Sequence, residues 1–205
     1  MKKPVFYTEA AYLAGLVLLA LGTAMMTTAD FGVSMVVAPA YLLHLFVSQF
    51  WGAFSFGMAE YTLQAALLAA MMLVLRRARV QWLFSFVTAF CYGWILDGFM
   101  VLVGLFPWGN VPARLALYVA GFFVTAFAVS CMFHTYLAPA VYELFVREVS
   151  RAKGKNITRF KTVYDLLSLA VGTAMSLVFF RRIVGVGLGT LAVAALNGKT
   201  IGLFS

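Results

Sequence analysis

The chain has too few charged residues to form the surface of a soluble protein. Charged side chains make up 11% of its 205 residues, hydrophobic ones make up 64%, and the mean hydropathy is +0.97. Soluble domains carry about 25% charged residues, so this composition excludes an ordinary soluble globular protein. No stretch has the make-up of a separate soluble domain, and we expect residues 1–205 to form a single integral membrane domain.

Cysteine and histidine are also scarce, which argues against a fold held together by disulfide bonds or by a bound metal ion. Cys91 and Cys131 are far apart in apolar runs, and His44 and His134 lack a second ligand at metal-binding spacing. Neither pattern is typical of a disulfide or zinc site, so we expect no metal and no cofactor. The motifs H-E-x-x-H and G-x-S-x-G are missing as well, and we do not expect an enzyme.

Long apolar runs make up most of the sequence. Six of them are long enough to cross a bilayer, which takes about 20 residues of helix. They cover residues 9–29, 57–75, 80–104, 113–135, 160–180 and 183–204. The sequence therefore predicts an all-α membrane protein with six transmembrane helices.

A short sequence motif occurs twice. Residues 36–47 read VVAPAYLLHLFV, and residues 136–146 read YLAPAVYELFV. Other similar residues pair at an offset of about 105, among them Glu60 with Asp165. Such internal similarity predicts that one unit was duplicated.

The two predicted repeats cover about residues 9–104 and 113–204. Each contains three predicted spans, and because three is odd, the second repeat must be inverted relative to the first. Many transporters are built from inverted repeats, which allow one fold to open to either side of the membrane.

Each APA motif starts a segment that does not resemble a full span. The motifs consist of Ala38, Pro39 and Ala40, and of Ala138, Pro139 and Ala140. The second segment also carries Glu143, Arg147, Glu148 and Arg151, which a lipid-spanning helix would hardly tolerate. Proline restricts its own φ and the preceding residue, so each motif predicts a chain break followed by a helix start. A re-entrant helix and an interfacial amphipathic helix both fit this pattern.

The basic residues predict the orientation of the chain. With six spans and a cytoplasmic N-terminus, twelve of the 15 Lys and Arg residues fall on the cytoplasmic side, and the exceptions are Arg114, Arg181 and Arg182. This bias is typical of cytoplasmic loops, so both termini are expected to be cytoplasmic. The same loops explain the net charge of +8. Anionic lipid headgroups, rather than nucleic acid, are the expected partners of this charge.

Two carboxylates are the leading candidates for a binding site. Glu60 and Asp165 lie in predicted spans, at positions that the duplication makes equivalent. A carboxylate in hydrocarbon usually faces a partner or a water-filled cavity. Two carboxylates that meet across the repeat axis would suit an organic cation or protons. Alternatively, each lies near the N-terminus of its helix and favours the positive end of the dipole.

Further polar residues lie within the apolar runs. Asp97 is near the outer end of the third predicted span, where it fits either a binding role or an interfacial position. Other candidate hydrogen-bonding partners for a solute are Tyr61, Gln64, Tyr164 and Asn197. Each of these also fits a hydrogen bond between helices.

Two parts of the chain resemble a known family. Residues 146–204 contain Gly154 and Lys155, a mid-helix Asp165, the run FFRRIVGV at 179–186, and Gly189 with Thr190. This pattern resembles the C-terminal part of the YczE/YyaS/YitT-like bacterial membrane proteins. The stretch ADFGVSMVVAPAYLL is similar to the family's G-x-S-P region, with Met35 where proline is common. The resemblance implies a small multi-pass protein of the bacterial inner membrane and leaves its activity open.

Taken together, these patterns favour a small-solute transporter or exporter with a site near the membrane midplane. The solute is expected to be cationic, or protons are expected to move. A passive channel lined by the two APA breaks remains an alternative, and so does a non-transporting accessory or lipid-contacting protein. The small residues Gly172, Ala174 and Ser176 would also permit a homodimer.

Overall fold

The computed structural model describes residues 8–133, 140–187 and 189–193. Within these ranges the chain is helical and has no strand. The helices are α1 (Thr8–Ala29), α2 (Ala38–Val47), α3 (Phe56–Leu75), α4 (Val80–Gly104), α5 (Val111–Phe133), α6 (Val141–Ala152) and α7 (Ile157–Phe180). Residues 189–193 form a further short helical stretch.

Five of the described helices, α1, α3, α4, α5 and α7, are long and apolar enough to cross a membrane. They correspond to the first five predicted spans, with bounds that differ by a few residues. Their outward faces carry large exposed hydrophobic side chains, such as Phe84, Trp94, Val101 and Val178, as expected of surfaces that contact lipid. Most of the sixth predicted span, 183–204, lies outside the described residues.

Helices α1 and α5 form the most extensive helix pair among the described helices and run antiparallel. Near one end Gly15 approaches Met132, and near the other the Arg114 Nε donates to the Ala29 carbonyl at 3.0 Å. Between these points Gly22 and Gly121 face each other so closely that a Cβ on either would meet the other's carbonyl oxygen, at 2.8 and 2.9 Å. The small residues therefore let the two backbones pack in direct contact.

One short helix begins with the first APA motif, another begins directly after the second, and both pack into the bundle. Helix α2 begins at Ala38, and its first three residues are buried against α3 and α7. Helix α6 packs against α3, α4 and α7 through Val141, Leu144 and Val149. Ala140 precedes α6 in an extended conformation, whereas Ala138 and Pro139 lie outside the described residues. The predicted helix start is thus observed at both motifs.

The segment after α7 fixes the loop between α1 and α2. The Val33 amide donates to the Gly185 carbonyl at 2.9 Å, and the buried Thr190 hydroxyl donates to the Val33 carbonyl at 2.7 Å. Gly32 has a φ of +114°, which is open to glycine but not to residues with a Cβ. The two segments that carry the sequence resemblance therefore bind each other at one end of the bundle.

Candidate functional site

A cavity of about 150 Å³ lies inside the helix bundle. Residues from α1, α3, α4, α5, α6 and α7, together with the loop before α2, form its wall. Its polar and charged lining consists of Tyr12, Thr23, Ser34, Glu60, Gln64, Thr88, Tyr92, Thr125, Tyr142, Glu143, Lys161 and Tyr164. Since an apolar bundle has no packing need for so many polar side chains in one place, this cavity is the candidate functional site.

Glu60 is the central charged residue of the cavity. It lies in the second turn of α3 and is 0% exposed. Its Oε2 accepts a hydrogen bond from the Tyr142 hydroxyl at 2.9 Å and another from the Gln64 Nε2 at 3.1 Å. Gln64 is one helical turn further along α3, so both side chains project from one face. The second oxygen of Glu60, Oε1, has no hydrogen-bond partner among the described residues.

Tyr142 connects the second short helix to this carboxylate. It is the second residue of α6, and burial raises the pKa of its hydroxyl well above the ordinary value. The hydroxyl therefore keeps its proton and acts as a donor to Glu60. The APA motif positions Tyr142 because α6 begins directly after Ala140.

Two further pairs of polar side chains in the wall bind each other. The hydroxyls of Tyr12 and Thr88 are 2.6 Å apart. The Tyr92 hydroxyl donates to the Thr23 Oγ1 at 3.0 Å. These two hydrogen bonds join α1 to α4. They do not involve Glu60 or Gln64, whose acceptor atoms stay open.

At the end where α7 begins, the cavity is lined by Glu143 and Lys161. Burial raises the pKa of Glu143, and the nearby Lys161 charge partly opposes this shift. The Lys161 Nζ lies 3.8 Å from the Asp165 Oδ1, one turn along α7, and the lysine side chain is 47% exposed. The cavity therefore reaches towards the surface at this end.

The structure brings only some of the predicted site residues together in the cavity. Glu60, Gln64 and Tyr164 line the cavity, whereas Asp165 is not in its lining and pairs with Lys161. Tyr61 packs on Phe90, with ring centroids 5.4 Å apart. Asn197 lies outside the described residues.

Asp97 stabilises the start of α3. Its Oδ1 accepts from the Gly57 amide at 2.7 Å, and its Oδ2 accepts from the Ser55 hydroxyl at 2.6 Å. Ser55 is itself the N-cap of α3 and accepts from the Met58 amide. Asp97 thus satisfies donors that a helix start leaves open. It is not part of the cavity lining, so its predicted role in binding stays a prediction.

We expect Asp97→Ala to lower the free energy of unfolding by about 1–3 kcal/mol, because two donors would lose a charged acceptor. Thermal unfolding of the purified protein measures this effect. Glu9→Ala is the matched control. Glu9 is exposed in the first turn of α1, and an exposed charge at a helix start contributes about 0.3–1 kcal/mol. Equal melting temperatures for Asp97→Ala and the wild type would contradict the capping role.

Sequence reasoning missed several cavity residues, chiefly Tyr142, Glu143 and Lys161. The nearest signal for Tyr142 was the APA motif directly before it. The aromatic stretch around Trp94 marked Tyr92 as a possible pocket wall, but its contact with Thr23 joins residues far apart in the chain and could not be predicted.

A second cleft, on the surface, is lined by basic residues of the α3–α4 turn and the end of α6. These are Arg77, Arg79, Arg151 and Lys153, together with Glu148. Arg79 and Glu148 form an ion pair across the cleft. The two basic segments therefore meet at one end of the bundle, as the charge distribution predicts for loops that share one side of a membrane.

One comparison with known proteins gives a match over nearly the whole chain. No curated protein and no solved structure matches the chain. A family model described as "Family of unknown function (DUF6198)" matches residues 6–205. The matched range includes the cavity and both APA motifs. The chain therefore belongs to the DUF6198 family, a family of unknown function.

Proposed function

We propose that the protein is a small-solute membrane transporter whose substrate site is the cavity at Glu60. The observation that carries this proposal is the open Oε1 atom of a fully buried carboxylate inside a membrane helix bundle. Carboxylates at membrane depth are costly, and they typically mark ion or solute pathways.

A purely structural role would leave Glu60 differently paired. Both donors, Tyr142 and Gln64, bind the same oxygen, Oε2. A carboxylate that only joined helices would be expected to satisfy both oxygens, because an unpaired buried acceptor costs about 1–3 kcal/mol. Glu60 instead lines a cavity in which a solute can supply the missing donor.

We further propose six spans arranged as two inverted repeats. In support, α1 and α5 run antiparallel, as equivalent helices of inverted repeats must. The two short helices also make reciprocal contacts, since α2 packs on α7 and α6 packs on α3. Gly22 and Gly121, which face each other, are separated in sequence by nearly the same number of residues as the two APA motifs. A pseudo-two-fold axis between these glycines would explain all three features.

The orientation and the location belong to the same proposal. The shared cleft at Arg79 and Glu148 supports placing the α3–α4 turn and α6 on one side, which we propose is cytoplasmic. The resemblance to YczE-like proteins supports the bacterial inner membrane. Under this topology both termini are cytoplasmic.

Uptake into proteoliposomes tests the function. We expect at least one compound from a library of small amines, amino acids and nucleobases to enter with saturable kinetics, and we expect Glu60→Gln to reduce that uptake at least about tenfold. Glu9→Gln is the control, because Glu9 is exposed in the first turn of α1 and is not part of the cavity lining. It should transport like the wild type.

The alternatives give different results in the same experiment. Flux that does not saturate and is unchanged in Glu60→Gln would indicate a passive channel. Absence of uptake for the whole library, together with a stably bound partner protein, would favour an accessory role. Either result would contradict the transporter proposal.

A further inference from the structure

Two residues of the cavity lining each carry a buried acceptor atom that has no donor within the described part of the chain. The Glu60 Oε1 and the Gln64 Oε1 both lack a hydrogen-bond partner among the described residues. Glu60 is 0% and Gln64 is 2% exposed, so bulk water does not satisfy them. Both belong to the cavity lining. A ligand that fits here must therefore bring hydrogen-bond donors.

The orientation of the Gln64 amide follows from its neighbour. Its Nε2 donates to the Glu60 Oε2 at 3.1 Å. The opposite orientation would place the amide oxygen against a carboxylate oxygen, with two acceptors in contact and no proton between them. The contact with Glu60 thus fixes the amide and keeps its oxygen available as an acceptor.

The charge of the cavity wall favours a cation near Glu60. Among the described lining residues the basic one is Lys161, and its ammonium group lies beside Asp165 at 3.8 Å. The groups that contact Glu60, Tyr142 and Gln64, are neutral donors. Tyr92, which also lines the cavity, adds an aromatic ring of the kind that attracts cations.

The size of the cavity limits the ligand. A volume of about 150 Å³ is that of a cavity which accepts benzene. The apolar part of the lining includes Leu16, Leu19 and Val129, which suit a short alkyl or ring portion. Nucleotides and sugar phosphates exceed this volume.

We propose that the cavity binds a small primary ammonium ion, whose N–H groups donate to the Glu60 Oε1 and the Gln64 Oε1 while its alkyl portion contacts Leu16, Leu19 and Val129. This inference deepens the proposed function, on which it rests, by naming the substrate class. A quaternary ammonium ion has the same charge but no N–H donor, and a neutral alcohol has a donor but no charge. Both should bind less well.

Calorimetric titration of the wild-type protein in lipid nanodiscs tests the class. n-Butylammonium and tetramethylammonium contain the same numbers of carbon and nitrogen atoms and carry the same charge. We expect n-butylammonium to bind at least about tenfold more tightly than tetramethylammonium or n-butanol. A hydrogen bond to a charged group contributes at least the roughly 1.4 kcal/mol to which a tenfold change in Kd corresponds. Equal affinity for n-butylammonium and tetramethylammonium would overturn the proposal.

Gln64→Leu provides a second test. It removes one acceptor, so the preference for n-butylammonium over tetramethylammonium should shrink several-fold. An unchanged preference in a folded variant would contradict the role of Gln64. The comparison of ligands on the wild type stands whether or not this variant folds.

The same protein separates this inference from the proposed function. Binding of n-butylammonium without uptake into proteoliposomes would support the ligand class and contradict transport. Saturable uptake of another solute, without binding of n-butylammonium, would support transport and contradict the ligand class.

Discussion

Glu60→Gln is expected to abolish ammonium binding and to leave the protein at least as stable as the wild type. Glutamine keeps an oxygen that accepts the hydrogen bonds from Tyr142 and Gln64, which now bind Oε2. It removes a charge whose burial costs several kcal/mol in a medium of low polarity. If Glu60 serves binding rather than stability, its replacement should abolish binding without lowering stability.

Thermal unfolding with and without n-butylammonium measures both effects. The wild type should be stabilised by the ligand through mass action, whereas the variant should show no shift. Leu68→Ala is a matched control on the same helix, because Leu68 is buried and outside the cavity lining. It should cost about 2–5 kcal/mol and keep the ligand shift. If Glu60→Gln lowers the melting temperature as much as Leu68→Ala does, the carboxylate is structural.

Gly22→Leu is expected to prevent folding of the bundle. A Cβ at this position would meet the Gly121 carbonyl oxygen at 2.8 Å and the Thr125 amide nitrogen at 2.9 Å. Both obstacles are backbone atoms, so no change of rotamer relieves the clash, and α1 must separate from α5. Overpacking commonly costs about 1–3 kcal/mol. A forced separation of α1 from α5 should exceed that range.

Size-exclusion chromatography of the solubilised protein measures the loss as a fall in the monodisperse fraction. Gly98→Leu is the matched control, because a Cβ at Gly98 in α4 meets no atom within 4 Å. This control should elute like the wild type. A Gly22→Leu protein with the elution profile and melting temperature of Gly98→Leu would contradict direct contact between α1 and α5.

Hydropathy alone was sufficient to predict the five described helices that are long and apolar enough to cross a membrane. A span is a local property, since about 20 consecutive apolar residues determine it. The APA motifs likewise predicted helix starts, because proline restricts the backbone locally. The choice between a re-entrant and an interfacial position depends on tertiary packing and on the membrane, so the sequence left it open.

The candidate site was only partly predictable. Glu60 and Gln64 were identified because polar residues stand out in an apolar helix. The pairing of Glu60 with Asp165 relied on the repeat and overlooked a local signal, since Lys161 precedes Asp165 by one helical turn, a spacing that favours ion pairs. The contact between Tyr142 and Glu60 joins residues 82 positions apart, and no local pattern encodes it.

The contacts of Asp97 could not be predicted either, because they also join residues far apart in the chain. Its carboxylate accepts from groups at the start of α3, 40 and 42 residues earlier in the chain. The contact depends on the close approach of Gly57 and Gly93, where a Cβ on Gly93 would meet the Gly57 carbonyl oxygen at 2.8 Å. Sequence alone shows the carboxylate and the glycines, but not that they meet.

The proposed transporter function requires that the cavity at Glu60 opens in turn to both sides of the membrane. Ala89 is 1% exposed and lines this cavity on α4, so Ala89→Cys, in a background with Cys91→Ala and Cys131→Ala, reports access to it. The measurement is the reaction of this thiol with a membrane-impermeant reagent in right-side-out and inside-out vesicles. The transporter account predicts reaction from both sides. Reaction from one side only, or from neither, would contradict it.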